Sequence, residues 1–120
     1  MNAPVSDSPK YQFTVPPALQ KREGGLEIKT ITIRELSPDD ELQATQRAKG
    51  DAIRLAFELA LQSLCQVNGA AVSLVDGTSE RMWRAIGPQL RNLVVSAYSS
   101  QFMATQDDAA LFLSSRKLST

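Results

Sequence analysis

The sequence predicts a helix-dominated α+β fold: a single domain with a small antiparallel β element and about four helices. Apolar residues recur at helical spacing over two long segments, 51–65 and 88–103. Shorter segments rich in alternating or β-branched residues lie before and between them, bounded by turn residues. With 120 residues, 42% of them hydrophobic, the chain is long enough to bury one core.

The first predicted strand covers residues 10–15, where apolar and polar residues alternate. The apolar positions share one face and are Tyr11, Phe13 and Val15. Pro16-Pro17 ends the strand, because proline cannot donate a hydrogen bond to a neighbouring strand.

The second predicted strand covers residues 26–36, which are rich in β-branched side chains. Its apolar phase changes between Ile28 and Ile31, which allows either a β-bulge or a strand covered on both faces. The two strands could pair through the turn predicted at 23–25, Glu-Gly-Gly.

Two helices follow, at 38–49 and 51–65. Ser37 can cap the first, Pro38 suits its first position, and three acids then fall where the helix dipole favours anions. Gly50 ends or interrupts this helix, and Asp51 caps the next. The second helix carries a broad apolar face that predicts a central place in the core, formed by Ile53, Ala56, Phe57, Ala60, Leu61 and Leu64.

A hairpin is predicted around Asn68-Gly69, with strands at about 64–67 and 70–74, because both central residues of a type I′ turn need positive φ. Asp76-Gly77 forms a further turn. A short helix then runs to Ile86, capped by either Gly77 or Thr78.

Gly87-Pro88 separates this helix from the last long one, at 88–103. Its apolar stripe consists of Leu90, Leu93, Val94, Ala97, Tyr98 and Phe102. A helical turn or two is expected at 107–113. The predicted organisation is a flexible tail at 1–9, a globular domain at 10–103 and a weakly structured tail at 104–120.

Composition narrows the classes of function. Thirteen basic residues balance thirteen acidic ones, so the chain has no overall attraction to nucleic acid or anionic lipid. Histidine is absent and Cys65 is the only cysteine, which argues against a tetrahedral zinc site and against dependence on disulfides. No apolar run suits a signal peptide or a membrane span, and a cytoplasmic location is therefore expected.

For each candidate metal-binding or catalytic residue, we favour a structural role over a functional one. Asp39, Asp40 and Glu41 could hold a hard cation, but they also suit the first turn of a helix. Asp107-Asp108 has the same two interpretations. Cys65 lacks the base that a nucleophilic thiol needs. We therefore predict no enzymatic activity and assign no catalytic, cofactor-binding or metal-binding residue, and no cofactor or small-molecule substrate.

Two binding hypotheses remain open at this point. The helix–Gly-Pro–helix arrangement at 78–103 is compatible with a helix-turn-helix, although Arg91 is the only basic residue of the second helix. Trp83 and Tyr98 are candidate anchors for a protein partner, since tryptophan and tyrosine are enriched at binding hot spots. For both aromatic residues, a place in the core is the favoured interpretation.

The order of these signals resembles that of the small tail assembly chaperones of tailed bacteriophages. The resemblance covers about residues 28–103. It rests on "ITIREL" (31–36), "SPDDELQA" (37–44), "AIRLAFELALQSLCQVNG" (52–69) and "MWRAIGPQLRNLVVSAY" (82–98). The first strand and residues 104–120 have no part in it.

The resemblance implies a non-enzymatic protein that binds the tape measure protein and helps recruit tail tube subunits. It also implies action in the host cytoplasm, absence from the mature virion and, in many phages, a longer frameshifted form. One hypothetical mechanism is helix-in-groove binding by the 90–102 stripe, with Trp83 nearby. The alternatives are a structural tail or baseplate protein and a DNA-binding regulator.

Overall fold

The computed structural model describes residues 9–20 and 27–116, which form one helix-dominated α+β domain, as predicted. The strands are β1 (Lys10–Thr14), β2 (Thr30–Arg34), β3 (Leu64–Val67) and β4 (Ala70–Ala71). The helices are α1 (Pro17–Gln20), α2 (Pro38–Ala48), α3 (Ala52–Ser63), α4 (Thr78–Ala85), α5 (Pro88–Phe102) and α6 (Gln106–Ser114). The four predicted helices are α2 to α5. The tail predicted at 1–9 lies outside the described residues except for Pro9, as do 117–120 of the predicted C-terminal tail.

The strands form one antiparallel sheet in the order β1-β2-β3-β4. The predicted pairing of the first two strands is confirmed, with Phe13 opposite Ile31 and Tyr11 opposite Ile33. The turn predicted at 23–25 lies outside the described residues. On the other side of β2, Ile31 pairs with Val67 of β3. β2 is therefore the central strand on which the core is built.

The change of apolar phase in the second strand has two structural counterparts. Ile28 is fully buried but precedes β2, which begins only at Thr30. Within β2, Thr32 is buried along with Ile31 and Ile33 on either side of it, so the strand is covered on both faces. The register with β3 also shifts between Thr32 and Ile33, which is the kind of irregularity that a β-bulge produces.

The hairpin joining β3 to β4 turns at Asn68 and Gly69, whose φ angles of 53° and 80° are both positive, as predicted. The Asn68 side chain also holds the chain leading into β2. Its Oδ1 accepts hydrogen bonds from the backbone N–H groups of Lys29 (2.6 Å) and Thr30 (3.3 Å), and its Nδ2 donates to the Glu27 carbonyl (2.7 Å).

The helix boundaries follow local side-chain chemistry. Ser37 and Asp40 form a reciprocal capping box at the start of α2. Lys49 ends α2 in the left-handed conformation, and Gly50 continues the turn at φ 84°. The Asp51 carboxylate then accepts the first free N–H groups of α3, so that α2 and α3 are separate helices.

The apolar face predicted for 51–65 is buried only toward its C-terminal end. Ala60, Leu61 and Leu64 are buried, whereas Ile53 is 74% exposed, so the prediction of a continuous buried stripe is wrong at its beginning. Ile53 lies in the first turn of α3, beside the tight turn from α2, and the buried residues of α3 are confined to its last turn. The helix also ends at Ser63 rather than at 65, because Leu64 already belongs to β3.

Helix α5 has an inner and an outer edge. Leu90, Val94 and Tyr98 are in the core, where α5 packs against α3 and the sheet. Leu93, on the outer edge of the same predicted stripe, is 43% exposed. The stripe is therefore partly core and partly surface.

Helix α6 confirms and extends the helical turns predicted at 107–113. Thr105 and Asp108 form a second reciprocal capping box at its start. None of its residues is buried, so α6 adds nothing to the core of the described domain.

Candidate protein-binding groove

An open apolar groove of about 370 Å³ lies between the β1–β2 face of the sheet and helix α5. The sheet side contributes Phe13, Thr14, Val15, Pro16, Ile31 and Ile33. Helix α5 contributes Leu90, Leu93, Val94, Ser96, Ala97 and Ser100. None of these side chains is charged, so the groove is suited to an apolar occupant.

Two features of the sequence produce this groove. Alternation along β1 turns Phe13 and Val15 toward the core side of the sheet, where Phe13 is only half-buried. The facing part of α5 carries small side chains at Ser96, Ala97 and Ser100, which leave the space between helix and strand unfilled. Small residues opposite large ones thus create an indentation that a partner's side chains can enter.

Aromatic rings join β1 to α5 beside the groove. The ring centroids of Tyr11 and Phe102 are 5.6 Å apart, and those of Phe102 and Tyr98 are 5.4 Å apart, both pairs in tilted arrangements. Such contacts add to the stability of the pairing between strand and helix. The contacts between these rings therefore hold β1 against α5 beside the groove.

The two aromatic residues predicted as partner anchors lie in different environments, Tyr98 in the core and Trp83 at its edge. Tyr98 is only 4% exposed and belongs to the core, so an anchoring role for it is wrong. Burial raises the pKa of its hydroxyl, and the carboxylates of Glu41 and Glu35 add to that shift. Trp83 is half-buried, packs against the core, and meets the Phe57 ring edge-on with centroids 6.3 Å apart.

The candidate surface drawn along 90–102 with Trp83 needs the same correction. The inner residues of that stripe are occupied by the core, because an amphipathic helix packs its most apolar edge against the sheet. The groove is lined by the outer-edge residues Leu93, Ser96, Ala97 and Ser100, together with the buried Leu90 and Val94. Trp83 lines a separate, more polar depression of about 250 Å³.

That second depression is crossed by an ion-pair network. Arg47 of α2 donates to Glu58 of α3 at 2.9 Å and to Glu80 of α4 at 3.3 Å. One guanidinium thus links three helices. Arg47, Glu58 and Glu80 therefore have a structural role in holding these helices together.

The acidic cluster at the start of α2 has the structural role that we favoured. The Asp40 carboxylate accepts hydrogen bonds from the Ser37 backbone (3.2 Å) and from Arg34 (2.8 Å). Burial alone would raise the pKa of Asp40, but the hydrogen bonds from Arg34 and Ser37, with the charge of Arg34, lower it overall. Among the described residues, no three His, Cys, Asp or Glu side chains are arranged so that they could hold one metal ion.

Asp108 and Cys65, the other residues considered for metal binding or catalysis, also have structural roles. Asp108 caps α6, and its hydrogen bonds with the backbone and side chain of Thr105 lower its pKa. The Cys65 thiol is half-buried and donates to the Thr32 carbonyl at 3.4 Å. Burial raises the pKa of Cys65 despite the charges of Lys10 and Arg34, which disfavours the thiolate.

Arg91, the only basic residue of the second helix in the helix-turn-helix alternative, forms hydrogen bonds inside the fold. Arg91 donates to the backbone carbonyls of Trp83 (3.1 Å) and Ile86 (2.6 Å), where α4 ends. Its guanidinium thus satisfies carbonyls that a helix end leaves free. The one basic side chain of the second helix is thus engaged within the fold, which weighs further against the DNA-binding alternative.

Comparisons of the chain with models of known protein families, with curated proteins and with solved structures found no match. Within residues 9–20 and 27–116, no helix is both long enough and apolar enough to cross a lipid bilayer.

The groove is the feature that reasoning from the sequence missed. It is built from residues 13–16, 31–33 and 90–100, which are far apart in the chain. The only local sign of it is the change from large to small side chains along α5, from Leu93 to Ser96, Ala97 and Ser100. The change from large to small side chains indicates a groove only when β1 is known to lie opposite this part of α5.

Proposed function

We propose that this protein is a tail assembly chaperone of a tailed bacteriophage, which binds an apolar helical segment of the tape measure protein. In this proposal it also helps recruit tail tube subunits, and it catalyses no reaction. The resemblance of residues 28–103 to such chaperones suggests the partner. The single structural observation that supports the binding mode is the open, uncharged groove between β1 and α5.

The groove fits the physical requirements of such a client. A tape measure protein has long apolar helical stripes that must be covered until the tail tube encloses them. A helix laid against the groove would place side chains spaced by one turn between Phe13 and Leu93. Burial of one large apolar side chain contributes about 1.5–3 kcal/mol. A few such side chains give reversible binding, which allows the client to be released into the tube.

The balance of charge agrees with this choice of partner. The thirteen acidic and thirteen basic residues cancel, and no charged side chain lines the groove. Recognition would therefore depend on shape and apolar burial, with hydroxyl groups of Thr14, Ser96 and Ser100 available to polar atoms at the rim. In the proposed role the protein acts in the host cytoplasm and leaves before the virion is complete.

The binding test uses fluorescently labelled peptides that cover the apolar helical segments of the tape measure protein from the same phage. We expect one or more to bind the full chain, and Leu93→Asp to weaken binding at least tenfold, because it places a charge in the groove. Ile53→Asp is the matched control, since Ile53 is equally apolar and more exposed but lies on α3, away from the groove.

Equal loss of binding in Leu93→Asp and Ile53→Asp would contradict the groove as the client site. Mass spectrometry of purified virions provides the second test. Absence of the chain from the particle is expected of a chaperone, whereas its presence in stoichiometric amounts would favour a structural tail component.

A further inference from the structure

Helix α6 presents large apolar side chains to solvent on every side of its C-terminal half. Leu111, Phe112 and Leu113 are 70%, 77% and 69% exposed. Three consecutive helical residues point in directions about 100° apart, so these side chains surround the helix axis. A helix that is apolar all round is normally one that is buried.

The length of α6 leads to the same conclusion. It has nine residues, and an isolated helix of fewer than about 12 residues is marginal in water. The Thr105–Asp108 capping box stabilises its first turn but does nothing for the exposed apolar end. The helix therefore needs a surface to pack against.

The groove between β1 and α5 is a surface of matching chemistry on the same chain. The groove is open and apolar, carries no charge and can accept leucine and phenylalanine side chains. Two complementary surfaces on one molecule, each without a partner, are the condition for self-association.

The connection between α5 and α6 favours contact between two chains over contact within one. Met103 and Thr105 both have extended backbones, with φ and ψ of −110° and 140° and of −82° and 171°. Within one chain, every residue of α6 is exposed and the groove is open, so α6 does not cover the groove of its own chain.

We propose that α6 of one copy docks in the groove of a second copy. Reciprocal exchange closes a symmetric dimer, and one-way docking links copies in a row. The docked helix occupies the place that the proposed function gives to the client, so on that function the client displaces it. Self-association itself does not depend on who the client is.

The test is sedimentation velocity of the full chain between about 1 and 200 μM, with three variants. We expect the unmodified chain to associate, and Leu93→Asp and the double variant Leu111→Asp/Leu113→Asp to sediment as monomers. Val75→Asp is the control, because Val75 is 98% exposed and lies on neither surface, and it should associate like the unmodified chain. Thermal unfolding of each variant is the control that its core is intact.

Mixing the two monomeric variants makes the test specific. The Leu93→Asp chain retains α6, and the Leu111→Asp/Leu113→Asp chain retains the groove, so an equimolar mixture should form a 1:1 complex. A monomeric unmodified chain at 200 μM would overturn the proposal. So would association of Leu93→Asp alone, or a mixture that stays monomeric.

The same variants separate this inference from the proposed function. The Leu111→Asp/Leu113→Asp chain has a free groove, and we expect it to bind tape measure peptides at least as tightly as the unmodified chain. Self-association without peptide binding would refute only the proposed client. Peptide binding by a chain that never associates would refute only the docking of α6.

Discussion

Asn68 combines two roles at a single position. Its backbone adopts the left-handed conformation, with φ 53°, that the hairpin between β3 and β4 requires. Its side chain forms three hydrogen bonds with the backbone of residues 27–30, at the entrance to β2. A substitution of Asn68 therefore affects both the hairpin turn and the hydrogen bonds that hold the chain leading into β2.

Two substitutions of Asn68 distinguish these roles. Asn68→Gly keeps the positive φ but removes the hydrogen bonds, and we expect it to lower the free energy of unfolding by about 1 kcal/mol. Asn68→Ala removes the bonds and also strains the turn, and should cost about 2 kcal/mol or more. Chemical denaturation measures both. Equal stability of the two variants would contradict the role assigned to the backbone.

Asp40 makes part of the stability dependent on pH. Its hydrogen bonds with Arg34 and Ser37 lower its pKa in the folded state despite the opposing effect of burial. A group with a depressed folded pKa stabilises the fold above its unfolded pKa, and this contribution disappears as pH falls through the folded pKa. We expect Asp40→Asn to lower the free energy of unfolding by about 1–2 kcal/mol at pH 7.

The cost of Asp40→Asn should shrink once the pH falls below about 4, the ordinary range of an aspartate pKa. Asp39→Asn is the matched control, because Asp39 is exposed in the same helical turn. Urea denaturation at a series of pH values measures the difference between each variant and the unmodified chain. A cost for Asp40→Asn that does not change between pH 7 and pH 3 would contradict the assigned role of its carboxylate.

The residues that fix helix ends and turns were predictable from the sequence, because their partners lie within three or four positions. Ser37, Asp51 and the Asn68-Gly69 turn all act where their local patterns indicated. The contacts of Asn68 with residues 27–30 were not predictable, since they span about 40 positions of the chain. Local chemistry indicates the turn but not what packs beside it.

At the scale of elements, α5 shows why a helical stripe does not reveal what covers it. Its predicted apolar stripe contains both Tyr98, in the core, and Leu93, on the surface. The spacing of apolar residues gives a face but not the width of the contact made by the neighbouring elements. The same limit explains Ile53, which continues the apolar pattern of α3 but lies where nothing covers it.

The two edges of α5 should respond differently to truncation. We expect Tyr98→Ala to lower the free energy of unfolding by about 3–5 kcal/mol, because it leaves a cavity among buried side chains. Leu93→Ala on the same helix should cost much less, since its side chain is already 43% exposed. Thermal or chemical unfolding of the two variants provides the comparison. A similar cost for both would contradict the division of the helix into core and groove.

At the scale of the whole molecule, the groove is a product of tertiary assembly. Its walls come from β1, β2 and α5, which are far apart in the chain and are brought together by the tertiary fold. No pattern within any one of these segments specifies the groove, so the candidate surface predicted along 90–102 includes only its α5 wall. The exposed apolar end of α6 likewise becomes informative only when the rest of the fold leaves it uncovered.

The proposed function and the proposed docking of α6 describe two states of one surface. An open apolar groove left uncovered would invite non-specific association. Occupation of the groove by α6 of another copy would cover both surfaces until a client competes for the groove. Client binding would then be accompanied by dissociation of the protein's own oligomer.

The groove is best tested by a titration of the ¹⁵N-labelled chain with a tape measure peptide, monitored by the backbone amide resonances. We expect the largest shifts at Phe13 and Val15 of the sheet side and at Leu93, Ala97 and Ser100 of α5. The resonances of Ile53 and its neighbours on α3 should stay unchanged. Shifts centred outside the groove, or none at millimolar peptide, would contradict the proposal that this surface binds the client.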